Sequence, residues 1–282
     1  MIKKPVLKVG AFDRKLMRQY YDALGTAGLV ASIAILFADP SAGAPVYIGI
    51  VALVLFVIAC VMLWIRANTI KGISLSVGNS EIEVKFGDLF AEDGLKVIAF
   101  NEYFDTLVDD VIISKRSMNG QFIEKFVKDI HDLDSEMEKY QRLRERIVGT
   151  NPERQSGKLT KYKIGSLFPY GEYLLTAFSK FDKDNRAYLY MKDYLGFLIE
   201  FWNEIDVVYA GRTVAIPLMG SGITRFKDYE DISEQELVEL IVISFKLSRV
   251  KFQYPSKAKL IIGWDKKNKI NLFKLTDICK VL

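Results

Sequence analysis

The residues best suited to hold an anion follow an apolar run that ends at Met219, where the chain continues Gly220-Ser221-Gly222-Ile223. Glycine is required where the backbone adopts positive φ or where a ligand touches main-chain N–H groups. A glycine-rich turn after a strand often holds phosphate, because its successive N–H groups point toward the anion. The lysine of a Walker loop and the third glycine of a dinucleotide-binding motif are missing. The pattern therefore predicts either a phosphate loop made of backbone amides or a structural turn before a helix.

Three more segments carry polar or glycine residues where predicted strands end or a predicted helix begins. They are GDLF from Gly87, FNEYFD from Phe100 and SMNGQF from Ser117. Because ligands of open α/β sheets bind at the carboxyl ends of strands, we expect these segments to meet the glycine-rich turn at one site. The predicted binding residues are Asp88, Leu89, Phe100, Asn101, Asn119, Gly120, Gly220, Ser221, Gly222 and Ile223.

Residues of the usual metal-binding and catalytic types are scarce in this chain. Its one histidine, His131, lies in the charged stretch VKDIHDLDSEMEK, so histidine-based metal sites and Ser-His-Asp catalysis are not expected. The two cysteines, Cys60 and Cys279, do not suggest a disulfide and fit a reducing compartment. A formal net charge of +4 is too small to indicate nucleic-acid binding. The composition thus predicts no metal, no catalytic triad and no nucleic-acid partner.

Strands and helices alternate beyond Thr69, which predicts an α/β domain over 69–282 with a mixed or parallel sheet. The segment 81–90 alternates apolar and polar residues, and 95–105 is more continuously apolar, as in a central strand. Predicted strands cover 81–90, 95–105, 172–182, 214–219 and 258–264, and predicted helices cover 120–130, 134–148, 187–205, 233–248 and 269–282, with a polar loop at 149–160.

A membrane-spanning segment is predicted at 46–65, which contains no charged residue. As a helix it would extend about 30 Å, the thickness of the hydrocarbon core. The alternative is a helix buried in a protein core. A shorter apolar segment at 23–38 predicts a second membrane helix, with a signal peptide as its alternative. Pro45 would follow the cleavage site, which disfavours that alternative.

The charges around these segments predict their orientation. Lysines and arginines are concentrated in the tail 1–22 and return at Arg66, whereas the connection 38–45 has none. The positive-inside rule therefore predicts a transmembrane hairpin over 23–66 with both termini in the cytoplasm. Small residues four apart, such as Gly28 and Ser32, predict close packing between membrane helices and hence a homo-oligomer.

The segments IEVKFGDLF, VIAFNEYFD, SMNGQF, TAFSKF and IPLMGSGITRF occur in the order and approximate spacing found in macro domains, so the chain resembles a divergent macro domain. This resemblance implies a three-layer domain with a mixed sheet and an ADP-ribose-type ligand. It implies that Asp88 pairs with the adenine amino group and that Asn101 lies near the ribose. It further implies that Asn119-Gly120 and Gly220–Ile223 form two phosphate loops. Bulky Tyr103 and Phe104 depart from the family pattern, so we predict that the domain is not an enzyme.

Two predicted membrane helices followed by a divergent macro domain resemble the membrane-bound macro-domain effectors of Thoeris, a bacterial antiphage system. In that family a TIR-domain enzyme makes an ADP-ribose-derived signal from NAD, and the macro domain senses it. The resemblance implies a multi-pass protein of the bacterial inner membrane. Its macro domain would sense a signal such as histidine-ADP-ribose, and its transmembrane helices would then disrupt the bilayer.

Two other functions remain open at the level of the sequence. The first is a membrane-anchored ADP-ribosyl hydrolase, in which Asn101 or Asp105 would orient a water molecule at the ribose. The second is an interaction module in which the glycine-rich turn only bends the chain. Turnover of ADP-ribosylated substrates would indicate the hydrolase, and the lack of any nucleotide binding would indicate the module.

Overall fold

The computed structural model describes residues 8–36, 44–229, 231–248, 250–253, 255–276 and 278. The chain divides into two compact units. The first contains the described residues up to Lys71 together with Asn271–Lys274, and the second contains Gly72–Ile270 and the residues from Leu275 onward. Cys279 and residues 37–43, which include most of the predicted connection 38–45, lie outside the described residues.

The first unit consists of two long helices, α1 (Arg14–Leu36) and α2 (Ala44–Thr69), with short segments packed against them. A small apolar cluster joins Val9, Leu16, Ala67 and Phe273. The indole Nε1 of Trp64 donates a hydrogen bond to the carbonyl of Val9 at 2.9 Å. The segments around Val9 and Phe273 therefore pack against the carboxyl end of α2.

Only one helix in the described part of the chain is long and apolar enough to cross a membrane, over Gly49–Thr69 within α2. The predicted hairpin is therefore not supported. The physical reason is that α1 begins at Arg14 rather than near residue 23, so its first turns carry Arg14, Lys15 and Arg18. The apolar part that follows, 23–36, would extend only about 21 Å, less than the hydrocarbon core requires.

The second unit is built on a mixed β-sheet. The strands are β1 (Gly72–Val77), β2 (Ser80–Phe86), β3 (Leu95–Asn101), β4 (Ile147–Thr150), β5 (Thr160–Tyr162), β6 (Leu167–Tyr170), β7 (Tyr173–Phe181), β8 (Ala187–Leu189), β9 (Val214–Pro217), β10 (Arg225–Phe226) and β11 (Ala258–Ile262). Nine of them form one sheet in the order β1-β2-β11-β9-β3-β7-β8-β10, with β6 also paired to β7, whereas β4 and β5 form a separate ribbon.

Five neighbouring strands of this sheet, β2, β11, β9, β3 and β7, run parallel, so their carboxyl ends lie along the same edge. The burial of β2 alternates along the strand, as its sequence predicts, because β2 lies near the edge of the sheet. Strand β3 is buried along most of its length because it lies between β9 and β7. The predicted central position of β3 is confirmed.

Helices cover both faces of the sheet. They are α3 (Met118–Phe126), α4 (Ile130–Lys139), α5 (Gln141–Arg144), α6 (Met191–Val208) and α7 (Glu234–Ser248), whereas the short helix α8 (Leu272–Leu275) falls mostly in the first unit. On one face, Phe122 of α3 and Leu133 of α4 pack with Phe100 of β3. On the other face, Phe178 of β7 packs edge-on against Phe197 of α6, with ring centroids 4.9 Å apart. The unit thus has three layers.

Three helix predictions need correction. The helix predicted over 134–148 is divided between α4, which already begins at Ile130, and α5, because Tyr140 adopts an extended conformation while its ring packs against Phe168 at 5.4 Å. Residues 147–148, also predicted helical, begin β4. The helix predicted from Ala187 begins as β8, which pairs with β7. The helix predicted over 269–282 is helical over Leu272–Leu275, and most of the residues after Thr276 lie outside the described part.

One ion cluster fastens the turn after β2 to the sheet. Glu92 accepts from Lys85 of β2 at 2.8 Å and from Lys259 of β11 at 3.0 Å. Burial alone would raise the pKa of Glu92, but the two lysines lower it below its ordinary value of 4.5. The carboxylate therefore stays charged where the chain leaves β2.

Candidate functional site

A cavity of about 500 Å³ opens at the carboxyl ends of β3, β9 and β11. Cavities of this size hold small ligands. Phe100 and Asn101 come from β3, and Gly263 follows β11. The remaining wall comes from the start of α3 and from the residues after β9. The parallel strands therefore bring the predicted segments together at one edge.

Seven of the ten predicted binding residues line this cavity, namely Phe100, Asn101, Asn119, Gly220, Ser221, Gly222 and Ile223. The other three, Asp88, Leu89 and Gly120, do not line it. Asp88 is exposed and caps the turn Leu89–Ala91, with its Oδ1 accepting from the amide of Phe90 at 3.0 Å. Leu89 is buried in the core beneath that turn. The roles predicted for Asp88 and Leu89 stay predictions.

The glycine-rich turn, Gly220–Ile223, uses its two glycines for different purposes. Gly220 has φ of +88°, and a Cβ there would approach the ring of Phe226 to 3.1 Å and Leu237 to 3.2 Å. Apart from its own chain neighbours, Gly222 has no described protein atom within 4 Å of the position of a Cβ. Gly220 is therefore required by the backbone and its packing, whereas a side chain at Gly222 would meet only what enters from outside the protein.

Backbone amides of this turn are available to a ligand. The N–H groups of Gly220, Gly222 and Ile223 have no acceptor among the described residues. The amide of Ser221 makes only a long contact of 3.4 Å with the carbonyl of Leu218. Such a set of neighbouring amides is suited to phosphate oxygens, which only accept hydrogen bonds.

Two side chains hold the turn in place. The hydroxyl of buried Tyr194 donates to the carbonyl of Met219 at 3.2 Å, and burial raises the pKa of Tyr194, which keeps this phenol a neutral donor. The Nζ of Lys266 donates to the carbonyl of Ser221 at 3.0 Å. The sequence reasoning missed Lys266, which lines the cavity together with Asp265. Their position directly after the predicted strand 258–264 was the signal that could have identified them.

The start of α3 forms the opposite part of the wall. Ser117 caps this helix, and its Oγ accepts from the amide of Gly120 at 2.9 Å. A Cβ on Gly120 would collide with the carbonyl of Ser114. Gly120 therefore serves a close backbone approach, and its N–H is already used within the protein. The helix begins at Met118, so the predicted loop at Asn119-Gly120 is the first turn of a helix.

Asn119 differs from its neighbours because its side chain has no partner. The residue is 7% exposed, and its Oδ1 has no hydrogen-bond partner in the described part of the chain. The amides of Met118 and Asn119 also have no acceptor among the described residues. The first turn of α3 therefore has two unused N–H groups at the cavity and, beside them, a buried carboxamide oxygen without a partner.

The side chain of Asn101 is engaged within its own segment. Its Oδ1 accepts from the amide of Tyr103 at 3.0 Å, and its Nδ2 donates to Asp105 at 2.9 Å. Asp105 is 1% exposed and also accepts from two guanidinium nitrogens of Arg154 and from the amide of Lys158. These bonds make Asn101 and Asp105 a rigid support for the cavity. A direct contact between Asn101 and a ligand stays a prediction.

No group of three or more metal-binding side chains occurs among the residues that the structure describes. A second depression of about 1230 Å³ lies beside the first, and Gly220–Thr224 contribute to both. Its wall carries charges of both signs, including Arg186, Arg225 and Asp231. The glycine-rich turn thus separates a mostly apolar cavity from a polar one.

The mixed sheet, its two helical layers and the cavity at its carboxyl edge define a macro domain. A variant of the Oceanobacillus iheyensis macrodomain, solved with ADPR, has the same fold, with a TM-score of 0.50 and 10% identity, over 74% of this chain and 99% of that chain. The same bacterial macrodomain solved with ADP aligns with a TM-score of 0.47 at 10% identity, over 75% of this chain and 98% of that chain.

The particular family follows from sequence similarity. The family described as "Thoeris protein ThsA, Macro domain" matches residues 82–263. The Thoeris protein ThsA of Bacillus amyloliquefaciens (strain Y2) is 37% identical over 273 residues, which cover 95% of this chain and 91% of that protein. The chain belongs to the Thoeris ThsA family. The predicted resemblance is confirmed, and the chain has a macro domain of bacterial antiphage defence.

Proposed function

We propose that this protein is a membrane effector whose macro domain senses an ADP-ribose-derived signal. The observation that carries the proposal is the cavity between the first turn of α3 and Gly220–Ile223, where five backbone amides have no acceptor among the described residues. Two groups of amides on opposite walls can hold a diphosphate without a lysine or arginine at its oxygens. A related fold has been solved with ADPR, which supports a ligand of this class.

The neighbouring polar depression supports a signal larger than ADP-ribose. Its charges, from Arg186, Arg225 and Asp231, suit a substituent that itself carries charges of both signs. Histidine-ADP-ribose, made by a TIR-domain partner, is such a ligand. The protein would then need no cofactor besides this signal.

The geometry of Asp105 favours sensing over hydrolysis. A general base must accept a proton from water, but the Asp105 carboxylate already accepts from Arg154, Lys158 and Asn101. The side-chain oxygen and nitrogen of Asn101 are likewise both hydrogen-bonded within the protein. Neither Asn101 nor Asp105 is therefore free to orient a water molecule at the ribose, which disfavours the alternative of a membrane-anchored ADP-ribosyl hydrolase.

The membrane part of the proposal rests on α2 and on exposed apolar residues of α1. Within α2, Gly49–Thr69 suits a membrane span, and the side chains of Leu29, Val30 and Ile33 on α1 are at least half exposed. We propose a multi-pass hairpin in the bacterial inner membrane, with both termini in the cytoplasm, in which α1 completes its short apolar part with Tyr20 and Tyr21 in the headgroup region. Homo-oligomers of the liganded form would then disrupt the bilayer. A ligand can drive this change only by binding the active state more tightly.

The sensing step is tested by isothermal titration calorimetry on the full-length protein in detergent. The ligands are ADP-ribose, histidine-ADP-ribose, NAD and AMP, each also incubated with the protein and assayed for turnover. Selective binding of an ADP-ribose derivative without turnover is the expected result. Binding of none of the four would refute the proposal, and turnover would establish the hydrolase.

The membrane step is tested on vesicles of bacterial lipid that contain the full-length protein and a trapped dye. Dye release that requires the bound ligand is the expected result. If the ligand binds but the rate of dye leakage is unchanged, the helices only anchor the protein in the membrane. Labelling of single cysteines introduced at each end of α1 would show whether that helix crosses the bilayer.

A further inference from the structure

A tight turn before α1 holds a large apolar side chain in the open. Phe12 is 87% exposed, whereas Val9 and Leu16 on either side of it are buried. The amide of Asp13 closes the turn by donating to the carbonyl of Gly10 at 3.0 Å. The backbone therefore keeps the ring of Phe12 away from the protein.

Asn68 fastens this turn to the end of the apolar span in α2. Its Oδ1 accepts from the amides of Lys8 at 2.8 Å and Val9 at 2.9 Å. Its Nδ2 donates to the carbonyls of Val9 at 3.1 Å and Trp64 at 3.0 Å. The span Gly49–Thr69 ends one residue beyond Asn68. When α2 crosses a bilayer, the turn therefore lies at the level of the lipid headgroups on that side.

Three arginines surround the turn with positive charge. Arg14 and Arg18 of α1 and Arg66 of α2 are exposed, and none of their guanidinium groups has an ion-pair partner among the residues that the structure describes. Arg14 and Arg18 share one face of α1, because they are four residues apart. Leu16 lies on the opposite face and packs in the small apolar cluster. The arginine face of α1 is thus directed away from the protein.

The partner of this surface must offer both an anion and an apolar environment. A single exposed ring is ordinary on a protein surface, but Phe12 lies beside uncompensated arginines at the end of an apolar span. A guanidinium group pairs well with phosphate, and aromatic rings favour the membrane interface. A soluble anion would satisfy the arginines but would leave Phe12 in water. Anionic lipid headgroups meet both requirements.

We propose that Phe12, Arg14, Arg18 and Arg66 form a docking surface for anionic lipids of the cytoplasmic leaflet. The ring of Phe12 lies in the headgroup layer, and the long arginine side chains reach the lipid phosphates. This inference goes beyond ligand sensing and rests on the proposed membrane span in α2. Because Asn68 ties the turn to α2, the bound lipids would also fix the depth of that helix in the membrane.

The test places a bimane fluorophore at position 12, where its ring stands in for Phe12, by Phe12→Cys in the full-length protein with Cys60→Ala and Cys279→Ser. The vesicles contain equal amounts of phosphatidylglycerol and phosphatidylcholine, and a nitroxide near the glycerol is carried by one lipid or by the other. Quenching by each labelled lipid is compared with quenching by iodide on both sides of the vesicle. A fluorophore at Val54, an exposed residue of the apolar span, shows whether α2 lies in the bilayer.

Both labelled lipids should quench the fluorophore at position 12 more strongly than iodide does. Labelled phosphatidylglycerol should be preferred about fivefold, which is what one arginine near an anionic surface contributes. Arg14→Gln together with Arg18→Gln should remove most of that preference. The matched control, Lys128→Gln together with Arg144→Gln, removes the same charge from exposed positions of the second unit and should keep it.

Quenching of position 12 by iodide but by neither lipid would overturn the inference, because the turn would then lie in water. Equal quenching by the two lipids would also overturn it, since the arginines would then not recognise the anion. The same holds for an equal loss of preference in both charge variants, which would show a response to net charge alone. Failure of either lipid to quench the fluorophore at Val54 would instead refute the membrane span of the proposed function.

Discussion

The two glycines of the ligand turn should respond oppositely to substitution. In Gly220→Ala the new Cβ would sit 3.1 Å from Phe226 on a backbone with φ of +88°. A non-glycine residue in such a conformation costs about 1–3 kcal/mol. For a domain of this size, that corresponds to a melting temperature lower by roughly 2–12 °C. In Gly222→Val the new Cβ has no described protein atom within 4 Å apart from its chain neighbours, so the melting temperature should hardly change.

Ligand binding should show the reverse order. A valine at Gly222 would occupy the space beside the free amides and would prevent a diphosphate from reaching them. The loss of two hydrogen bonds to a charged group is worth about 3 kcal/mol or more, which corresponds to at least a hundredfold weaker affinity. Gly220→Ala should weaken binding less than Gly222→Val, because the turn distorts but stays open.

Thermal unfolding and calorimetry of the two full-length variants against ADP-ribose provide the assay. The wild type, with ligand at 100 times its dissociation constant, should gain about 2.7 kcal/mol of stability, and Gly222→Val at the same ligand concentration should gain about 0.4 kcal/mol or less. Wild-type affinity in Gly222→Val would refute the reasoning, since the turn would then not contact the ligand. A marked loss of stability in Gly222→Val would contradict the open surroundings of that residue.

Three further predictions concern the supports of the cavity. Tyr194→Phe removes the donor to the carbonyl of Met219 and should cost about 1 kcal/mol, seen as a melting temperature lower by roughly 2–4 °C; an unchanged value would show that the carbonyl finds another donor. Arg154→Met leaves the buried carboxylate of Asp105 without its main partner and should cost about 3–5 kcal/mol in urea unfolding, whereas Asp105→Asn in the same background should recover part of that loss. The lowered pKa of Glu92 means that its contribution to stability is complete above pH 4.5 and is lost as the pH falls through the native value. Glu92→Gln should therefore flatten the acid side of the melting-temperature profile, and an unchanged profile would assign acid unfolding to other carboxylates.

The motifs of the sequence resemble those of macro domains, and the sequence by itself also predicted the mixed sheet and seven residues of the cavity wall. These features follow from local pattern, since alternation or continuity of apolar residues reports on strand burial, and glycines mark turns with special backbone angles. Strand β2 and the turn Gly220–Ile223 were predictable for this reason. The segment of α2 that is long and apolar enough to cross a membrane was also predictable from composition alone.

Tertiary structure decided which side chains are available. Asn101 looked suited to bind a ligand, but Asp105 of the same segment engages its amide, and Arg154, from a loop 49 residues further along, holds Asp105 in place. Asn119 looked like part of a loop, but the buried start of α3 leaves its carboxamide unpaired. Local sequence cannot reveal such pairing, because the partner of each polar atom depends on which distant segments the sheet brings together. The same cause explains Lys266, whose position at the glycine-rich turn exists only once β9 and β11 are neighbours.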